Sequence, residues 1–110
     1  ESLQDLIAAP LTWIGIRDAA GDIVAALAYR TDGPVVDIDR LVVSSARFRI
    51  GLGATLVASL DSDAMITVST GSANTPAHRL YESLGFVRTH DEEIVPGLVI
   101  SNFVRRSVHE

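Results

Sequence analysis

Cysteine is absent from all 110 residues. That absence excludes a disulfide framework, a thiol nucleophile and any thiolate metal site. No signal-peptide pattern opens the sequence either, and the two absences together give the expectation of a cytoplasmic protein. No apolar run approaches the ~18 residues needed to cross a bilayer, so no membrane partner is expected. Positive charge is scarce: 9 Lys and Arg stand against 14 Asp and Glu, for a net charge of −5. A nucleic-acid binder usually presents a basic face, and this balance argues against one. Three catalytic signatures are also missing. There is no Gly-Lys-Ser/Thr end to a phosphate loop, no Gly-x-Ser-x-Gly elbow, and no pair of histidines at i and i+4 for a metal. His78, His90 and His109 are each read as surface residues.

What is present suits one globular domain over residues 1–110. Hydrophobic residues make up 47% and charged residues 21%, and a chain of this size buries about two thirds of its surface on folding. Glu1 to Pro10 carries Leu3, Leu6 and Ile7 at helical spacing and is closed by Pro10, which predicts a short helix. Strands are predicted for Leu11 to Arg17, Ile23 to Tyr29 and Val35 to Ser44, separated by turns at Asp18 to Asp22 and at Asp32-Gly33-Pro34. Leu52, Leu56 and Leu60 predict a helix. Met65 to Ser69 reads as a buried strand, which must return alongside the third strand because a helix separates the two. A second strong helix runs from Thr75 to Leu84, with Asn74 or Thr75 as N-cap, Pro76 in its first turn and Gly85 as its stop. Phe86 to Asp91 and Leu98 to Arg105 supply two last strands, and Arg105 and Arg106 are expected to be solvated.

The stretch with the most chemical content is Leu41 to Leu60, an apolar strand, a basic loop, Gly51-Leu52-Gly53 and a helix start. A strand, glycine turn and helix N-terminus presents unpaired N–H groups to an anion. Gly53 is followed by Ala54 and Thr55, with no lysine, so a Walker A loop fails. A dinucleotide fingerprint asks for Gly or Ala at Leu56, and hairpin strands precede the loop, so that reading is weak. Arg47 and Arg49 nevertheless place positive charge beside the glycines.

What remains resembles the pyrophosphate loop of the GNAT acetyltransferase superfamily, Arg/Gln-x-x-Gly-x-Gly/Ala at a helix start. The resemblance continues downstream. Asn74, Ala77, Leu80, Tyr81, Leu84, Gly85 and Phe86 match the family's Asn-x-x-Ala-x-x-Leu-Tyr-x-x-Leu-Gly-Phe signature at each defining position. The two motifs cover roughly Asp37 to Phe86. One departure stands at Phe48, where the family carries Arg or Gln.

The resemblance implies an α/β (α+β) fold with a mixed, mostly antiparallel sheet of about six strands and helices on both faces, without the family's usual opening strand and first helix. It implies acetyl-CoA as cofactor and an amine of a small molecule or peptide as acceptor. The pantetheine arm would run along Leu41, Val42 and Val43, with the Leu41 amide as oxyanion donor. The pyrophosphate would sit on Arg49, Ile50, Gly51, Leu52, Gly53, Ala54 and Thr55, and Asn74 would contact the cofactor. Tyr81 falls where the family commonly places its general acid. Its position on the apolar side of its helix also fits a core tyrosine with its hydroxyl at the edge. Asp37, four residues before Leu41, is the candidate base, with Asp39 behind it; both also fit as solvated acids after a turn. Two other readings stay open: a non-catalytic coenzyme A binding module, and a partial domain completed by a partner chain, including a homodimer.

Overall fold

Three antiparallel strands open the fold: β1, Thr12–Arg17; β2, Ile23–Asp32; and β3, Val35–Val43. A short helix, α1 (Leu52–Ala58), leads to β4 (Met65–Gly71). The helix α2 (Thr75–Ser83) is then followed by the hairpin of β5 (Val87–Val95) and β6 (Leu98–Arg105). This computed structural model describes residues 10–44, 51–60 and 63–107. The helix expected before Pro10 lies outside the described residues, as do Arg47, Phe48, Arg49, Ile50 and His109.

The six strands form one sheet in the order β1-β2-β3-β4-β6-β5. Only β3 and β4 run parallel, because α1 carries the chain back across the sheet between them. The core follows from alternation. Ala25, Leu27, Val36, Ile38, Ile66, Val68 and Phe103 project from one face and meet Leu56, Val57 and Leu60 from α1 and Tyr81 from α2. Both described helices therefore cover the same face. The expectation of helices on both faces turns on the segment before Pro10.

Both motif helices end as their sequences require. Asn74 caps α2, its side-chain oxygen accepting from the Ala77 N–H at 3.2 Å. Gly85 stands just beyond the C-cap at φ 91, a left-handed conformation that suits glycine. Three strands outgrow their predicted limits, β4 among them, which runs on from Ser69 to Gly71. β2 continues to Asp32, and β5 continues through the acidic run Asp91, Glu92 and Glu93 because β6 supplies a backbone ladder whatever the side chains.

Every residue of β5 is exposed, and its register slips between Arg88 and His90 and again between Glu93 and Val95. Bulges and charges together blunt an edge against pairing with another strand. The hairpin is tied inward at one point, where the fully buried Ser101 donates to the Asp91 carboxylate at 2.7 Å. Hydrogen bonds from Arg88, then from Ser101, hold the Asp91 carboxyl below its ordinary value. A carboxyl lowered in the folded state stabilises above its unfolded value, near 3.9, and that contribution is lost as pH falls through the folded value. Asp91→Asn is thus expected to flatten the acid side of the stability profile. Melting temperatures of both chains from pH 7 down to about pH 3 check it, and parallel curves would contradict it.

Two residues expected on the surface are packed. The His78 ring meets Phe103 edge-on at 5.2 Å, with Nε2 3.2 Å from the Gly71 carbonyl oxygen. Arg105 lays its guanidinium over the Phe86 ring at 5.3 Å, since a long side chain can cover an apolar ring and keep its charge near water. His90 is exposed, as expected.

Candidate active site: a split between the central strands

The site begins with an irregularity in β3. Its register with β2 passes from Tyr29↔Ile38 to Ala28↔Arg40, so Asp39 has no partner on β2. This bulge reverses the alternation: Val36 and Ile38 face the helices before it, and Leu41 and Val43 face them after it. Bulges also bend a strand. β4 pairs with β3 from Val35↔Met65 only as far as Ile38↔Val68, while β3 runs on with β2 to Val43 and β4 runs on with β6 to Gly71. The two central strands part, and the sheet opens between them.

The split exposes main-chain groups of known direction. The Ser44 N–H donates to the Val24 carbonyl at 2.8 Å and so faces β2. Antiparallel pairs alternate, so Val42 faces β2 as well, while Leu41 and Val43 turn their N–H and C=O groups toward the gap. Among the described residues no strand lies beside them there. An extended ligand can pair with them as a strand would.

A cleft of about 340 Å³ occupies the gap, lined by Leu41, Val42, Val43, Asn74, Pro76, Ala77, Leu80 and Tyr81. It adjoins a second chamber of about 540 Å³ that shares Val43, Pro76 and Leu80 and adds Gly51, Gly53, Ala54, Arg79 and Ser83. Gly53 lies where the two meet. A Cβ there would come within 3.3 Å of Leu41 Cδ2 and 3.5 Å of Leu80 Cδ2, so a larger residue would press on both walls. Gly51 precedes α1 at φ 77, with open space where a Cβ would be. Among the described residues no side chain caps α1, and none in its first turn is acidic. The N–H groups of Leu52, Gly53 and Ala54 therefore have no acceptor within the helix.

Among the described residues, Tyr81 is the ionisable side chain of the inner cleft. It is 5% exposed and held edge-on to Phe86 at 5.4 Å and tilted on Phe103 at 6.0 Å. Burial pushes its phenol above the ordinary value, because the charged form is disfavoured away from water. The two sequence readings of Tyr81 are thus compatible: its ring is core and its helix face lines the cleft.

The structure brings Leu41, Val42, Val43, Asn74 and Tyr81 together, and Gly51, Gly53 and Ala54 beyond them. Leu52 packs against the core instead, and Thr55 returns its hydroxyl to the Gly51 carbonyl at 3.0 Å. Asn74 spends its side-chain oxygen on the helix cap, one of the two N-cap readings the sequence offered. Asp37 lines neither chamber. It sits at the closed end of the split on the face away from the helices, accepting from the Thr67 hydroxyl at 2.5 Å. Asp39 is gripped by Arg30 at 2.7 Å and Arg40 at 2.8 Å, which hold its carboxyl below the ordinary range. Sequence reasoning missed Pro76, Arg79, Leu80 and Ser83 as wall residues. Their spacing along one stripe of α2 was the available signal.

A model of the Acetyltransferase (GNAT) family matches residues 2–86. The chain belongs to the GNAT acetyltransferase family. UPF0157 protein YqkA of Bacillus subtilis (strain 168) is 33% identical over 107 residues, which cover 94% of this chain and 31% of that protein. The chain thus spans about a third of the length of this curated relative. Among solved structures, the ribosomal-protein-S18-alanine N-acetyltransferase from Escherichia coli aligns at TM-score 0.77 and 16% identity, covering 97% of this chain and 77% of that one. A spermidine N-acetyltransferase from Vibrio cholerae aligns at TM-score 0.73 and 15% identity, covering 94% and 70%. At such identities these two likenesses concern the fold alone. No helix among the described residues is long and apolar enough to cross a membrane.

Proposed function

We propose that this GNAT domain transfers an acetyl group from acetyl-CoA to a primary amine of a small molecule or protein, by direct attack within a ternary complex. The observation that carries the reading is the split sheet: unpaired Leu41 and Val43 main-chain groups lie beside Tyr81 in a channel that leads to Gly51. The fit to acetyl-CoA rests on the same features. The gap offers strand-like pairing to an extended pantetheine arm, and the second chamber combines free N–H groups with the Arg79 cation. When bound, acetyl-CoA supplies an already activated acyl carbon and a thiol leaving group.

The residues then divide four tasks. Leu41 and Val43 align the arm, and the Leu41 N–H stabilises the oxygen on which negative charge develops. The N–H groups of Leu52, Gly53 and Ala54 hold the diphosphate, the Thr55 N–H being spent on the Gly51 carbonyl, with Arg79 adding charge. Asp37 takes the amine's proton through water from the open face of the sheet. Tyr81 gives its proton to the departing sulfur. With no cysteine in the chain, a single displacement needs no acyl-enzyme.

The second reading, a coenzyme A binding module inside a longer protein, is favoured by one fact: the chain spans about a third of its curated relative. Thiol release from acetyl-CoA over a panel of primary amines separates the two. Amine-dependent release supports transfer. Binding of acetyl-CoA with no release for any amine would sink it and leave the module.

A further inference from the structure

The Asp39 bulge also decides what stands on the face of the sheet away from α1 and α2. Arg40 pairs with Ala28 and Leu41 with Leu27. Once the bulge has turned Leu41 toward the helices, Arg40 projects from the opposite face, beside the mouth of the split. Its Nε–H donates to Asp39 Oδ2 at 2.8 Å. Asp39 divides its carboxylate, because its other oxygen accepts from Arg30 at 2.7 Å. The Arg40 side chain is 60% exposed, and among the described residues the Nε bond is its only side-chain hydrogen bond. Both terminal amino groups are therefore left to solvent. The guanidinium is anchored at one nitrogen and keeps its fork free for an anion.

That fork stands where an acceptor would arrive. Leu41 directs its N–H into the plane of the gap, so a carbonyl held by it shows one face to the helices and one to the opposite side. On the helix side stand Ala77, Leu80 and Tyr81 of α2. On the other side, Arg40 and Val42 flank Leu41 and are both exposed. An amine attacking from there passes Arg40.

We propose that Arg40 is a specificity-determining residue for the acceptor: its free fork holds an anionic group carried by the amine. The acceptor class is then a primary amine that also bears a carboxylate or a phosphate, the α-amino acids being the simplest. The proposal rests on the reading of this site as an amine acetyltransferase. In a chain of net charge −5 anions gain nothing from the field of the whole molecule. A single arginine acts within the Debye length of about 8 Å, on a group bound beside it. A polyamine, with a cation in place of the anion, meets like charge there.

Two matched pairs of acceptors make the test: leucine with leucinamide, and phosphoethanolamine with ethanolamine. For each pair the ratio of kcat/KM, anionic member over neutral member, is measured in the unsubstituted chain, in Arg40→Gln and in Arg40→Lys. Comparing ratios cancels the intrinsic reactivity of each amine and any general loss of activity. In Arg40→Gln the ratio should fall about 10- to 100-fold for at least one pair. It should fall less in Arg40→Lys, which keeps the charge and loses the fork. The pair that responds tells carboxylate from phosphate. Equal ratios in all three chains, or a preference for spermidine that Arg40→Gln leaves unaltered, overturn the role of Arg40. Transfer to no amine at all overturns the acetyltransferase reading instead, and NMR then decides the role of Arg40. With coenzyme A present, N-acetylleucine or N-acetylphosphoethanolamine should shift the Arg40 Nε–H signal saturably, and N-acetylleucinamide should not. A signal that moves with none of them, or equally with all, overturns the role. That measurement needs no acetyl transfer, so the two failures remain distinct.

Discussion

Tyr81→Phe is expected to lower turnover by roughly 10²- to 10⁴-fold, the usual contribution of a positioned proton donor, while leaving acetyl-CoA affinity nearly unchanged. The ring is the part of Tyr81 that packs, on Phe86 and Phe103, and phenylalanine retains it. Only the hydroxyl is lost. Its raised pKa has a further consequence of definite sign. A general acid must carry its proton to act, so a phenol raised above about 10 keeps the unsubstituted chain active through the neutral and mildly alkaline range. The acid function fades only as pH passes the raised value. Steady-state rates from pH 6 to about pH 10, with direct binding measurements, check both statements. Equal turnover in Tyr81→Phe would remove Tyr81 from the mechanism and return it to the core alone.

Phe103→Ala is the substitution expected to cost most in stability. Phe103 is 2% exposed on the core face of β6, beside His78 and Tyr81 of α2. Truncating a buried phenylalanine costs about 3–5 kcal/mol, a large part of the roughly 5–15 kcal/mol that holds a domain folded. The loss also removes a surface against which Tyr81 is oriented. Chemical denaturation should show a lower midpoint with an unchanged slope, and a loss below about 1 kcal/mol would mean that the core around α2 closes over the gap.

The elements were legible where local chemistry and burial agreed. Asn74, Pro76 and Gly85 marked the limits of α2, and the apolar stripe of Leu52, Leu56 and Leu60 marked α1. The order of strands followed from the turns and from the one helical crossover. The site was legible as a motif and not as a shape. Its defining feature is the Asp39 bulge, which depends on the register between β2 and β3. No pattern of residue types along a single strand reports a register. For the same reason Asp37 could be placed on β3 but not on the face away from Tyr81. The acidic run of β5 did not look like a strand, because what holds it is the ladder to β6 and not its own side chains. Phe103 lies outside both motifs, so its place under α2 had no local signal.

The most direct test of the account is whether this channel holds acetyl-CoA. Thermal unfolding with and without acetyl-CoA, on the unsubstituted chain and on Gly51→Glu, makes the measurement. A ligand bound only by the folded state at about 100 times its dissociation constant adds roughly 2.7 kcal/mol, which raises the midpoint of a domain this size by about ten degrees. At position 51 a glutamate meets a left-handed backbone and sets a negative charge at the mouth of the second chamber. The account predicts a clear rise that Gly51→Glu, compared with its own ligand-free midpoint, does not show. A folded chain whose midpoint does not move with acetyl-CoA, or a rise that survives Gly51→Glu unchanged, would contradict it.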